Sequence, residues 1–171
     1  RRWVVDLVLD DAGYRAGEDI IDKVVVEPSC GDGALLEAIA ERLASEAVAN
    51  GRPWADLAGC VVAYDLDAEA VAHSIAAAGA ALTARGGDDR TARAIASGWV
   101  RNGDFILDCH TRCDFVVGNP PYVRATDLPR AQREAYRDTL ESFSMGCDVY
   151  SAFYDHGLDI LRPGGRLCYI C

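Results

Sequence analysis

Strand and helix patterns alternate along this chain, and that alternation limits its fold more than any other feature. Residues 24–26, 60–64, 99–101, 115–117 and 166–171 are short, largely apolar runs that read as strands. Between them, Leu35, Leu36, Ile39, Leu43 and Ala47 mark one face of a helix. Residues 68–78 and 128–140, and a segment carrying Val149, Ala152, Phe153, Ile160 and Leu161 behind a capping Asp148, predict further helices. Trp3, Val4, Leu7 and Val8 place one more before the first strand, ending near Gly13. Residues 80–97 are broken by Gly86-Gly87-Asp88-Asp89 and read as a surface excursion with a short helix from about Arg90. Arg162-Pro163-Gly164-Gly165 is expected to end the last helix before the fifth strand.

Strands joined through helices pair in parallel with right-handed crossovers, so the expected class is α/β, a doubly wound, mainly parallel sheet. Such sheets bind ligands beyond the carboxyl ends of their strands. Four strand ends carry suitable groups. The first runs into Glu27-Pro28-Ser29-Cys30-Gly31-Asp32-Gly33, the second into Asp65-Leu66-Asp67, the third into Asp104-Phe105 and the fourth into Asn119-Pro120-Pro121-Tyr122.

Gly31 and Gly33 let backbone approach a ligand closely, but Glu27 and Asp32 stand where a phosphate site needs cations. That loop therefore suits a cationic or hydroxyl-bearing ligand, with Asp32 equally able to serve as a helix cap. Asp65 is an acceptor for ribose hydroxyls. Asp104 and Phe105 offer an acceptor for an exocyclic amine and an apolar face for a ring. Two consecutive prolines stiffen the turn after Asn119. The Asn119 amide oxygen and the Pro120 carbonyl can converge on a planar NH2 group, and Tyr122 can stack on the ring that bears it.

Composition excludes some roles. No apolar run approaches the ~18–20 residues that span a bilayer, and no basic-plus-apolar leader is present, which points to the cytoplasm. The net charge of −10 is wrong for a domain that holds nucleic acid by phosphate neutralisation alone. On the helix predicted over 128–140, Arg130, Arg133 and Arg137 form a stripe, but Glu134 and Glu141 sit at i,i+4 from two of them, so a solvated face is favoured over phosphate contact. Seven scattered cysteines suit a reducing compartment. Cys109-x3-Cys113 with His110, and Cys168-x2-Cys171, have metal-like spacing, yet the second pair lies in a strand whose side chains alternate faces. They are read as small buried hydrophobes, with no metal expected. Arg1 at the start and a strand-like run at the end read as part of something larger.

Asn119-Pro120-Pro121-Tyr122 after a buried strand, preceded in the chain by Glu27-Pro28-x-x-Gly31-x-Gly33, resembles the S-adenosylmethionine-dependent N6-adenine DNA methyltransferases of restriction–modification and phage-defence systems. The resemblance covers nearly all of residues 1–171. It implies a Rossmann-like methyltransferase fold with its C-terminal strands truncated, a single partial catalytic domain, and a target-recognition domain lying elsewhere that would bring the DNA. By it, Glu27, Pro28, Gly31, Gly33, Asp65, Leu66, Asp104, Phe105 and Asn119 would hold S-adenosylmethionine. Asn119, Pro120, Pro121 and Tyr122 would hold a flipped adenine, with Phe153 a second aromatic against it or equally a core residue. Protein-glutamine methyltransferases share the tetrad, and a non-catalytic cofactor-binding module is a further alternative.

Overall fold

The structure, a computed structural model, describes residues 2–140, 143 and 148–170. Strands β1 (Val25–Glu27), β2 (Val61–Asp65), β3 (Val100–Asn102), β4 (Cys113–Gly118) and β5 (Leu161–Tyr169) form a single sheet in the order β3-β2-β1-β4-β5. All its pairings are parallel. The helices are α1 (Arg2–Asp11), α2 (Ala34–Asn50), α3 (Ala68–Ala84), α4 (Asp89–Trp99), α5 (Phe105–Asp108), α6 (Arg130–Thr139) and α7 (Val149–Ile160). The chain builds outward from β1 to β3, then crosses back to lay β4 on the other side of β1. That reversal puts the ends of β1 and β4 side by side at a topological switch point.

The strands are apolar on both faces because both are covered. Val25, Val61, Ala63, Phe115 and Val117 pack with the layer of α1 to α4, whereas Val26, Val62, Tyr64 and Val116 pack with α5, α6 and α7. On α2, Leu35, Leu36, Ile39, Leu43 and Ala47 are all buried, as their spacing predicts. Asp148 caps α7 by accepting from the Ser151 amide at 3.1 Å.

Residues 80–97 are not a surface excursion. α3 continues to Ala84, the chain turns at Gly86 with φ +106°, and Asp88 caps α4 by accepting from Thr91 N at 2.9 Å. Ala92, Ile95, Ala96 and Trp99 then bury one helical face, and Trp99 donates its indole N–H to Leu57 O at 2.9 Å. Trp99 thus closes a helix rather than opening a strand. The four buried residues stand at helical spacing, so the expected helix near Arg90 is present, starting at Asp89; its packing against α3 makes the segment core rather than surface.

Nor do Pro163 and the glycines that follow it separate α7 from the last strand. β5 begins at Leu161 and runs through them, with a register shift against β4 between Cys113 and Phe115. Among the described residues β5 pairs with β4 alone, and a proline and a bulge are tolerated where a strand's N–H groups have no ladder to enter. Cys171 lies outside the described residues.

Cys109 and Cys113 are buried, and burial pushes the Cys113 thiol up to about 12. Among the described residues no three potential metal ligands cluster, and no helix is long and apolar enough to cross a membrane. On α6, Arg130 pairs with Glu134 at 2.8 Å and Arg133 donates to Thr126 O at 3.4 Å. The expected partner of Arg137, Glu141, lies outside the described residues.

Candidate active site

β1 ends on Glu27, and Pro28 stops the strand. The loop turns through Gly31 and Gly33, both at positive φ (53° and 85°). Gly33 is required twice over, since a Cβ there would lie 2.8 Å from the Ser74 Cα of α3. Gly33 also occupies the cap position of α2, and Asp32 accepts from Ala34 N at 3.2 Å, so Asp32 braces the first turn while lining the cleft.

Asp65 ends β2 and is held by backbone. Its Oδ2 accepts from Gly31 N at 2.9 Å and its Oδ1 from Asp67 N at 3.0 Å. The Asn102 amide donates to the carbonyls of Asp65 and Leu66, each at 3.0 Å, which fixes this strand end against β3. Glu27 is 2% exposed, and among the described residues its Oε2 has no hydrogen-bond partner. Burial, then the neighbouring charges of Asp65 and Asp32, raise its carboxyl well above the ordinary range. A buried, unpartnered acid at the rim is a group that gains from a cation.

β4 ends at Gly118, where a Cβ would lie 2.9 Å from the Pro28 ring, so the two turns touch only because no side chain intervenes. The Ser29 hydroxyl donates to Asn119 O at 2.9 Å and ties them together. Asn119 is exposed and Pro120 buried. Tyr122 is 67% exposed; its hydroxyl donates to Ile170 O at 3.0 Å and its ring stacks on Tyr150, centroids 6.0 Å apart.

Two connected hollows follow from this. A cleft of about 490 Å³ runs past Glu27, Gly31, Asp32 and Asn119. A smaller one of about 220 Å³ is walled by Leu66, Asp104, Phe105, Pro121 and Phe153. Ser29, Asp65 and Pro121 border both, so they form one two-lobed trough. Its sides come from four separate strand ends, as the α/β pattern requires.

Three placements refine the residue list. Phe153 lies 5.2 Å from Phe105, ring to ring, in the lobe that holds Asp104 rather than in the lobe that Asn119 lines. The Asp104 carboxylate is engaged within the protein, Oδ1 accepting from Ile106 N at 3.0 Å and Oδ2 from Tyr136 OH at 2.8 Å and Gln132 Nε2 at 2.9 Å. Ser29, Asn102, Gln132 and Tyr136 were not singled out from sequence. For the last two a signal existed: they stand four residues apart on a predicted helix, overshadowed by the arginine stripe beside them.

Residues 99–171 match the model of the Eco57I restriction-modification methylase family. The type II methyltransferase M.PaeR7I of Pseudomonas aeruginosa is 37% identical over the whole of this chain and 30% of its own length. The type II methyltransferase M.XhoI of Xanthomonas vasicola is 34% identical over the whole chain and 32% of its own length. The chain is thus similar to a restriction-modification methylase over its second part and to type II methyltransferases over its whole length. The chain spans about a third of the length of these curated relatives. Among solved structures, the M protein of the type I restriction enzyme EcoKI superposes on 88% of the chain, and 30% of its own, with a TM-score of 0.58 at 14% identity. The type IIL restriction-modification enzyme MmeI, solved in complex with DNA, superposes on 98% of the chain and 28% of its own with a TM-score of 0.54, also at 14% identity. Both show the fold. The family match takes in Asp104-Phe105, Asn119-Pro120-Pro121-Tyr122 and Phe153, while the glycine loop lies in the part aligned with the longer relatives.

Proposed function

We propose that residues 1–171 are the catalytic part of a DNA methyltransferase that methylates adenine at N6 with S-adenosylmethionine, the DNA being delivered by a recognition domain elsewhere in the protein. The observation that carries this is the Asn119-Pro120-Pro121-Tyr122 turn held by Ser29 against an acidic glycine loop, across a two-lobed trough. A DNA substrate assigns the enzyme to the cytoplasm, and the −10 charge assigns the grip on phosphates to the recognition domain.

The residues fit the cofactor. The unpartnered Glu27 carboxyl suits a cationic methionine end, and Gly31 lines the cleft with open space where a side chain would project, while Gly33 lets the loop pack on α3. Asp65 borders the middle of the trough, where a ribose would sit, and Leu66, Asp104, Phe105 and Phe153 wall the lobe suited to its adenine. Bound there, S-adenosylmethionine supplies an electrophilic methyl on a sulfonium.

On the other side, the Asn119 amide oxygen and Pro120 carbonyl accept the two hydrogens of the target amine. Doing so draws the nitrogen lone pair out of the ring's π-system and toward the methyl. The N–C bond forms as the C–S bond breaks, and the proton leaves the alkylated nitrogen afterwards, so no titrating base is required. Tyr122 presents an aromatic face to the target ring once that base has left the duplex stack. Positioning and electrostatics carry the rate.

The test is product analysis. Full-length protein, DNA and methyl-labelled cofactor should yield N6-methyladenine by mass spectrometry, and Asn119→Ala should abolish it. Label found in protein glutamine, or in another base, refutes the assignment.

A further inference from the structure

The ring of Tyr122 is held by two contacts that act on different degrees of freedom. Its hydroxyl donates to Ile170 O at 3.0 Å, and Ile170 N donates to Gly118 O at 2.9 Å, so the far end of the side chain is tied back to the end of β4. The hydroxyl oxygen lies on the axis that runs from Cβ through the ring. Its bond therefore sets where that axis points and leaves the ring free to turn about it. That turn, χ2, is a broad torsion. What fixes it is Tyr150, whose ring is stacked on Tyr122 with centroids 6.0 Å apart and planes inclined by 20°.

Tyr150 is itself held from two directions. It stands in the first turn of α7, and the chain just past Tyr122 is fastened to the start of that helix: Val149 N donates to Val123 O at 2.9 Å, and Arg124 forms an antiparallel bridge with Asp148. Behind it lie the rings of Tyr154 and Tyr169, with centroids at 5.0 and 6.3 Å and planes inclined by 53° and 63°. Tyr169 is buried in β5 and donates its hydroxyl to Phe153 O at 3.2 Å. The plane of Tyr122 is thus referred through Tyr150 to α7 and β5. Tyr150 lines neither lobe of the trough, so its aromatic contacts bear on Tyr122 and the tyrosines behind it rather than on the cofactor.

From this we infer that Tyr150 is a positioning residue for methyl transfer: it takes one face of Tyr122 and sets the plane on whose other face the target base lies. The inference rests on the proposed reaction and adds to it a residue outside the tetrad. A ring has two faces, and with one against Tyr150 the Tyr122 side chain is still largely exposed, so a face remains for a base. A ring already fixed in plane gives up no further freedom when the base arrives, whereas a ring free to turn has to be ordered at that step. Packing alone asks only for an apolar side chain at position 150. Setting a plane asks for an aromatic one.

The experiment uses the full-length protein and single-turnover methylation, at saturating S-adenosylmethionine, of DNA in which the wild type forms N6-methyladenine. Tyr150→Leu should slow the reaction about three- to tenfold. Tyr150→Phe, which keeps the ring, should recover most of that loss, and S-adenosylhomocysteine affinity from calorimetry should be the same in both. A double-mutant cycle separates positioning from packing. Tyr122→Leu is itself slower by about five- to a hundredfold, and in that background Tyr150→Leu should cost less than about a further twofold, because no aromatic plane is left to set. Tyr150→Ser, suited to the first turn of a helix, replaces the leucine variant if that one folds poorly. A full rate in folded Tyr150→Leu or Tyr150→Ser, a Tyr150→Phe as slow as the leucine variant, or an undiminished loss in the Tyr122→Leu background overturns the inference while leaving the methyltransferase reading intact. Failure of wild type to form N6-methyladenine overturns both.

Discussion

The two sides of the trough are built on opposite principles. On the glycine-loop side the working parts are backbone: Gly31 N on Asp65, Cys30 N on Tyr64 O at 2.9 Å, and Gly33 pressed on Ser74, with the acids buried or braced. On the proline-turn side the backbone is stiff and the side chains are solvent-facing, Asn119 exposed and Tyr122 67% exposed while anchored by its hydroxyl to Ile170 O and by one ring face to Tyr150. A loop that wraps a small molecule needs backbone that glycine alone can supply. A turn that holds a base brought in from outside needs rigid acceptors with open access. Ser29 is the seam between them.

This contrast breaks if the sides cannot be damaged separately. The largest effect is expected from Asn119→Ala: methyl transfer should fall by about a hundredfold to a thousandfold or more, with S-adenosylmethionine affinity by calorimetry essentially unchanged. A parallel loss of affinity would merge the two sides.

Gly33→Ala should do the reverse. Positive φ and a backbone contact at 2.8 Å act together there, so urea unfolding should show a loss of about 2–5 kcal/mol together with weakened cofactor binding. Gly31→Ala meets nothing within 4 Å and carries only the strain of its φ, about 1–2 kcal/mol. Equal losses at the two glycines would remove the argument from close packing.

Ser29→Ala tests the seam. It should slow single-turnover methylation about tenfold with cofactor affinity kept, and Ser29→Thr should restore most of the rate. The smallest effect is a pH dependence of stability without cofactor. Glu27 holds its proton more tightly folded than unfolded, so wild-type stability falls as pH rises from about 4.5 toward the raised value. Glu27→Gln lacks that slope. Thermal melts should coincide in acid and separate toward neutral pH with the variant the more stable; parallel curves would show that Glu27 is not strained.

Much of this contrast is written in local chemistry. Gly31, Gly33 and the proline pair announce their backbone demands within a few residues, and the buried face of α2 is periodic enough to read directly. Gly86-Gly87-Asp88-Asp89 reads as exposed turn, and although Ala92, Ile95, Ala96 and Trp99 stand at helical spacing, only their packing against α3 shows that residues 80–97 are core. Phe153 illustrates a different gap: its position on α7 is periodic, but only the neighbouring Phe105 shows which lobe it walls. Gln132 and Tyr136 were overlooked because their partner, Asp104, is 28 and 32 residues away.

The sequence by itself determined the alternation of strand and helix, hence a parallel sheet with its chemistry at the carboxyl rim, and the residue types at each strand end. Those follow from periodicity and from glycine and proline stereochemistry, which act between near neighbours. Only the tertiary structure decided that β4 returns beside β1, so that Ser29 reaches Asn119 across 90 residues, and that α6 folds onto Asp104. Such contacts repay the entropy of closing long loops only when the whole sheet and both helical layers pack at once, and no short stretch of sequence carries that sum.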